Sequence, residues 1–178
     1  MKGIRRTLKE QIAYLRLLSG DSDAFGYFYD QWAGKLYSYI YFRTSDKEFS
    51  QDTTSEVFLQ AWQYVMEKKE IRNFKAFLYQ VARNKIADRY RTRDRQPDLF
   101  DETLEYESTA DTTEQSAELA LLRRQLRLLK EEYREIILLR HMEGLSISEI
   151  AAVISKDENT VRVTLHRALA KLKELNSL

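Results

Sequence analysis

The stretch GLSISEIAAVISKDENTVRVTLHRALAKLK, residues 144–173, decides how the rest of the chain is read. Ser146 is suited to cap a helix, and Glu149 three positions later completes a capping box. Ile147, Ile150 and Ala151 supply a short apolar face before the run breaks at Ser155-Lys156. Asp157 then caps a second helix, in which Val161, Leu165, Leu169 and Leu172 recur at helical spacing as one stripe expected to be buried. The remaining faces carry Asn159, Arg162, His166, Arg167, Lys171 and Lys173. A short helix, a turn and a longer helix with a basic exposed side form a helix-turn-helix, whose second helix enters the DNA major groove. Two capped helices also occur in all-helical proteins that never touch DNA, so the remainder of the chain has to decide.

A chain of 178 residues makes one ordinary domain or two small ones. One proline and five glycines argue for helices with few breaks, and 11 Tyr with 8 Phe supply an aromatic core. The absence of cysteine excludes disulfides and thiolate metal sites. No signal-like leader follows Met1, and no run of about eighteen apolar residues occurs, so no membrane insertion and a cytoplasmic location are expected. The net charge of +1 conceals a segregation. From Ile71 to Arg95 there are eight Lys or Arg against Asp88 and Asp94, whereas Gln96 to Glu118 holds eight Asp or Glu and no basic residue. Two cationic patches are thus separated by an acidic connector that phosphate would repel.

Upstream, helical spacing predicts a helix over 7–19 with Leu8, Ile12 and Leu15 on one side, ended by Gly20. An aromatic helix over 24–43 follows, with Phe25, Phe28, Tyr29, Trp32, Leu36, Tyr39 and Ile40 as core. Residues 50–66 turn Phe58, Ala61, Trp62 and Val65 inward and leave Asp52, Glu56, Gln60 and Gln63 outside, a face suited to a basic protein partner. Residues 73–91 form a helix capped by Asn73, with Phe74, Phe77, Leu78 and Val81 inward. Arg83, Lys85, Arg89 and Arg91 radiate outward among Tyr79 and Tyr90, and Asn84 offers an amide. Cations for phosphates, rings for unpaired bases and an amide for a base edge are what opening DNA requires. Periodicity lapses from 92 to about 115 and resumes over 116–129 and 132–142. The expected fold is therefore all-α: two small helical domains, 1–95 and 116–178, joined by a flexible acidic linker at 96–115, the second a helix-turn-helix.

Three stretches resemble the bacterial sigma-70 family, and specifically its short extracytoplasmic-function group. DTTSEVFLQAW (52–62) is similar to the group's region 2.2, FKAFLYQVARNKIADRYR (74–91) to regions 2.3–2.4, and 143–175 to region 4.2. The resemblance implies that Asp52, Glu56 and Gln60 bind the β′ clamp helices of core RNA polymerase. It implies that Arg83, Asn84, Lys85, Arg89 and Arg91 hold the melted −10 element. Asn159, Arg162, His166 and Arg167 would then read the −35 element as duplex promoter DNA. An anti-sigma factor is a further partner that the sequence does not decide. Departures from the group's pattern are Thr53 for an apolar residue, Ser55 for Gln, Phe77 for Trp, and Ser155-Lys156 for Gly and an apolar residue. Ser155 lacks glycine's ease at positive φ.

No catalytic constellation is present in the sequence: His141 and His166 lie far apart, and there is no Gly-rich phosphate loop. No cofactor is expected, and the chain is expected to act by binding. The rival readings are a two-domain helix-turn-helix regulator that binds duplex DNA without joining polymerase, and a helical protein-interaction module.

Overall fold

The computed structural model describes residues 8–69, 71–94, 122 and 124–176, and all secondary structure among them is helical. The helices are α1 (Leu8–Leu18), α2 (Ser22–Thr44), α3 (Lys47–Met66), α4 (Phe74–Asp94), α5 (124–128), α6 (Glu131–Ile137), α7 (Ile147–Ile154) and α8 (Glu158–Asn176). Short polar side chains set many of their starts. Asp21 accepts from the Asp23 and Ala24 amides, Asp46 from Phe49, and Asn73 from Ala76 at 2.9 Å. Each satisfies an amide that has no partner within the first turn. Gly20, at φ +84°, turns the chain between α1 and α2.

The helices gather into two clusters. In the first, α1–α4 enclose Leu17, Phe28, Leu36, Ile40, Val57, Phe58, Leu78 and Ile86. Aromatic edges knit it together: Phe25 meets Trp62 at 5.0 Å and Phe28 meets Phe74 at 4.5 Å. Two expectations are corrected here. Leu8, Ile12 and Leu15 of α1 are exposed, while Ala13, Tyr14 and Leu17 face inward. The Tyr14 hydroxyl accepts the Ile71 amide at 2.9 Å, and this anchor selects the smaller, mixed face as the buried one. Tyr29, assigned to the core, is 43% exposed at its edge against Phe58. Of the positions that depart from the family pattern, Thr53 is buried, and Phe77 is half-buried against Tyr64 at 5.0 Å.

The second cluster buries Leu126, Leu129, Ile136 to Leu139, Leu145, Ile150, Val153, Ile154, Val161 and Ala168. The helix expected over 132–142 is α-helical only to Ile137 and continues as a π-helical turn over Leu138–Met142. One extra residue per turn is accommodated there. Gly144 at φ +64° follows, and Arg140 donates to the Leu145 carbonyl at 2.8 Å. In α8 the buried face is Val161, Thr164 and Ala168 with Leu165 and Leu172 half-buried, whereas Leu169 is 39% exposed. The stripe is thus rotated toward the smaller residues, which lets α8 approach closely. The acidic connector at 96–115 and the helix start at 116–121 lie outside the described residues.

The helix-turn-helix itself forms from the expected caps. Ser146 and Glu149 make the reciprocal box, and Asp157 accepts from the Thr160 amide at 2.8 Å. Ser155 ends α7 in the left-handed region at φ 55°, ψ 46°, its amide bonded to the Ala151 carbonyl. A β-carbon at that φ costs about 1–2 kcal/mol, and glycine's extra freedom in the unfolded chain returns roughly 0.4–1 of it. Ser155→Gly is therefore expected to stabilise the fold by about 0.5–1 kcal/mol, read as a raised midpoint in thermal or urea unfolding; a lowered midpoint contradicts the strain.

Candidate nucleic-acid interface

The outer face of α3 follows from helical spacing. Val57, Phe58, Ala61 and Val65 take the inner side, so Asp52, Glu56 and Gln60 stand exposed on the outer one. Glu56 reaches across to Lys85 of α4 at 2.6 Å. The acidic face of α3 therefore borders the basic face of α4 directly.

On α4 the four basic side chains named above each meet a carboxylate. Arg83 Nε donates to Glu135 at 3.0 Å, Lys85 to Glu56, Arg89 to Asp46 at 2.5 Å, and Arg91 to Asp88. Arg89 also lies 4.1 Å above the Phe49 ring, a cation–π contact. Asn84 is exposed. Phe49, Thr53, Glu56, Lys85, Asp88, Arg89 and Thr92 line an open groove of about 450 Å³ between α3 and α4. Phe49 was not legible as part of this surface, because its only sequence mark is an aromatic ring near a helix start.

One expectation fails on α4. Tyr79 does not point outward with the cations: it is fully buried, and its hydroxyl donates to Glu143. Its position is set by the face it shares with Ala82 and Ile86, both fully buried. Tyr90 keeps an exposed edge, with its hydroxyl on the Arg43 carbonyl at 2.7 Å.

On α8, Asn159, Arg162, His166 and Arg167 are all exposed. Spacings of three and four put Asn159, Arg162 and His166 on one side, opposite Val161, Thr164 and Ala168. Arg167 lies about 100° further round the helix. Arg162 pairs with Glu158 at 2.6 Å, an exposed pair of small energetic weight that DNA could displace.

Between the clusters runs a polar seam that the sequence reading missed. Arg43, near the end of α2, is 7% exposed, and Glu135 of α6 is 4% exposed. Arg43 donates to Glu135 at 2.6 Å, to the Tyr39 hydroxyl at 2.8 Å and to Glu131 at 2.9 Å. The Tyr39 hydroxyl donates to Glu135 at 3.1 Å, so one carboxylate oxygen serves Arg43, Tyr39 and Arg83. Further along, Lys75 donates to the Glu143 carbonyl at 2.5 Å, and Asn73 to Glu149 at 2.8 Å. Glu149 thereby joins the cap of α4 to the cap of α7. Burial, and then the neighbouring Glu143 carboxylate, push the Tyr79 hydroxyl well above the usual tyrosine range. Burial likewise raises Glu143, against the Tyr79 hydrogen bond and Lys75, which favour its charge. A usable signal did exist: Arg43 continues the stripe of Leu36, Tyr39 and Ile40, where a cation needs a buried partner. A cavity of about 320 Å³ at the same seam is lined by Trp32, Phe74, Arg72, Lys75, Arg140 and Glu149 among others.

Among the described residues no group of three or more His, Asp or Glu could hold a metal ion. None of their helices is long and apolar enough to cross a membrane.

Residues 28–96 match the family described as Sigma-70 region 2, and residues 119–172 match Sigma-70, region 4. The ECF RNA polymerase sigma factor BldN of Streptomyces coelicolor is 34% identical over 90% of this chain, which spans 63% of that protein's length. The ECF RNA polymerase sigma factor SigW of Bacillus subtilis is 25% identical, with 94% of this chain and 95% of SigW aligned. The structure of CnrH in complex with the cytosolic domain of CnrY superposes with a TM-score of 0.73 at 25% identity, covering 95% of this chain and 97% of that one. With both signature regions matched in the order its helices place them, the chain belongs to the sigma-70 family, in its extracytoplasmic-function group.

Proposed function

We propose that this chain works as a sigma factor, which binds core RNA polymerase, directs it to particular promoters and helps to open the DNA. The observation that carries the reading is the direct border between the acidic face of α3 and the basic face of α4, with a second basic face exposed on α8. A single chain thereby offers one surface to polymerase and two to DNA. Asp52, Glu56 and Gln60 meet the clamp helices of β′. Arg83, Asn84, Lys85, Arg89 and Arg91 hold the melted −10 strand, where phosphates replace the carboxylates now on the cations. Tyr90 and Phe49 are the rings beside those cations; Tyr79 has no part in stacking while it is buried. Asn159, Arg162, His166 and Arg167 read the −35 duplex.

In this reading the chain divides into a polymerase and −10 domain at 1–95, a linker at 96–115 and a −35 domain at 116–178. It acts by binding energy rather than catalysis, in the cytoplasm where polymerase works. A regulatory protein that holds the free chain fits the same picture, since CnrH is seen in complex with the cytosolic domain of CnrY.

Reversing Asp52 and Glu56 to Lys is expected to weaken core binding by about tenfold, or about 1.4 kcal/mol, in a titration against immobilised core polymerase. Exposed changes of this kind rarely cost much stability, so the helices should persist. Equal affinity of variant and wild type would remove α3 from the polymerase contact.

The two DNA faces are separable by a second pair of changes. Arg162→Ala should cost about 1–3 kcal/mol in upstream duplex recognition and relax its sequence preference. Asn84→Ala should leave duplex binding nearly intact and lower permanganate reactivity of thymines at the start-proximal element. Salt must be held fixed, because phosphate contacts make affinity steeply dependent on it. If both variants lose duplex binding equally and opening is unaffected by either, melting does not reside on α4.

A further inference from the structure

We propose that α1 is a peripheral membrane anchor: its exposed stripe of Leu8, Ile12, Leu15 and Leu18, flanked by cations, settles onto a bilayer surface that carries anionic headgroups. The proposal is independent of the polymerase and DNA assignments. It stands on three observations.

First, α1 is apolar on two opposite faces, and the fold covers one of them. Ala13, Tyr14 and Leu17 pack against the first cluster, and the Tyr14 hydroxyl is held by the Ile71 amide. On the other side Leu8 is 72% exposed, Ile12 50%, Leu15 66% and Leu18 41%. Spacings of four and three place Leu8, Ile12 and Leu15 in one row along the helix, with Leu18 beside it. Single aliphatic side chains in water are ordinary on a protein surface, but a contiguous row of them marks an interaction site.

Second, the charge beside the stripe is one-sided. Five of the chain's 29 Lys and Arg lie within residues 1–18, as Lys2, Arg5, Arg6, Lys9 and Arg16, against one of its 28 Asp and Glu, Glu10. Lys9 and Arg16 are exposed. Each follows a stripe residue by one position, about 100° round the helix. Both therefore flank the apolar row on the same side, where a helix lying in the interface meets lipid phosphates. Arg16 pairs with Asp21 at 2.7 Å, an exposed link of small weight that a lipid phosphate can displace. An apolar row with a cationic flank complements a surface that is apolar within and anionic at its edge.

Third, the size of the stripe decides between occupants. α1 has 11 residues, which makes the row about 16 Å long. Two copies joined along it would bury well below the roughly 1,000 Å² that a specific protein interface needs. A bilayer demands no shape-matched partner, and it favours apolar burial and cationic flanks separately. α1 is too short to span, so it lies on the surface rather than crossing it.

The test uses the full chain at one salt concentration and vesicles of two compositions, phosphatidylcholine alone and phosphatidylcholine with phosphatidylglycerol. The chain has no cysteine, so Ile12→Cys in one protein and Ala170→Cys in another each carry a single polarity-sensitive fluorophore. Ala170 is exposed on α8 and serves as the control. The expected result is co-sedimentation with the anionic vesicles, a blue shift of the label at position 12, and none at position 170. Replacing Leu8 and Leu15 together by Gln, or Arg5, Arg6 and Lys9 together by Gln, is expected to lower vesicle affinity by about tenfold or more. Leu8, Leu15 and Lys9 are exposed, so these changes should leave helix content intact. If circular dichroism shows otherwise for the leucine pair, the basic triple variant and the two labels carry the test. Equal binding by wild type and both variants, equal binding to the two kinds of vesicle, or no binding to either overturns the anchor. A blue shift at position 170 in place of position 12 overturns it by moving the contact to α8. A wild-type chain that elutes as a dimer without lipid, when the leucine variant elutes as a monomer, gives the stripe to a second copy and overturns it as well.

Discussion

A buried guanidinium dictates how the two halves of this chain meet. Arg43 lies almost out of reach of solvent, and desolvating its charge is tolerable only beside a carboxylate that is also held by hydrogen bonds. Glu135 is that carboxylate, and Tyr39 and Arg83 complete its coordination. Removing one member of such a pair generally costs about 3–5 kcal/mol, whereas replacing the whole set by apolar groups is often neutral. The network therefore contributes more to the register of the clusters than to their stability. It fixes which side of α4 is covered and, with it, which of that helix's basic residues stay accessible.

This constraint links fold to function through one helix. α4 is apolar on the side that meets the first cluster, polar where it meets the second, and basic beyond. Its basic stretch abuts the acidic face of α3 through Glu56 and Lys85, so the surfaces proposed for protein docking and strand capture are neighbours within a single pair of helices. On α8, the helix proposed to read duplex, Arg162 pairs with Glu158, one turn away on the same helix. In the proposed reading, a chain arranged in this way finds a promoter as duplex before it commits to opening it.

Much of the fold was legible because local signals agreed. Ser146, Glu149 and Asp157 are caps whose geometry depends on a few neighbouring residues, and each does what its spacing predicts. Where two faces of one helix were both apolar, the pattern misled. In α1 the bulkier stripe of Leu8, Ile12 and Leu15 is outside, because the Tyr14 hydroxyl is held by the distant Ile71 amide. Tyr79 was misplaced for a related reason: its basic neighbours obscured the helical spacing that it shares with Ala82 and Ile86. The Arg43–Glu135 pair joins residues 92 positions apart, and no periodicity encodes such a meeting. The π-helical turn after Ile137 likewise escaped, since a single extra residue barely disturbs a 3.6-residue pattern.

The most direct measurement of sigma activity is run-off transcription with purified core polymerase on genomic fragments, with and without this chain. Discrete transcripts that start at mapped positions only when the chain is present, and that vanish when Arg162 and Asn84 are both changed to Ala, are expected. Specific duplex binding by the chain, with no dependent transcript on any fragment and no association with core polymerase, would contradict sigma function and leave a plain helix-turn-helix regulator in its place.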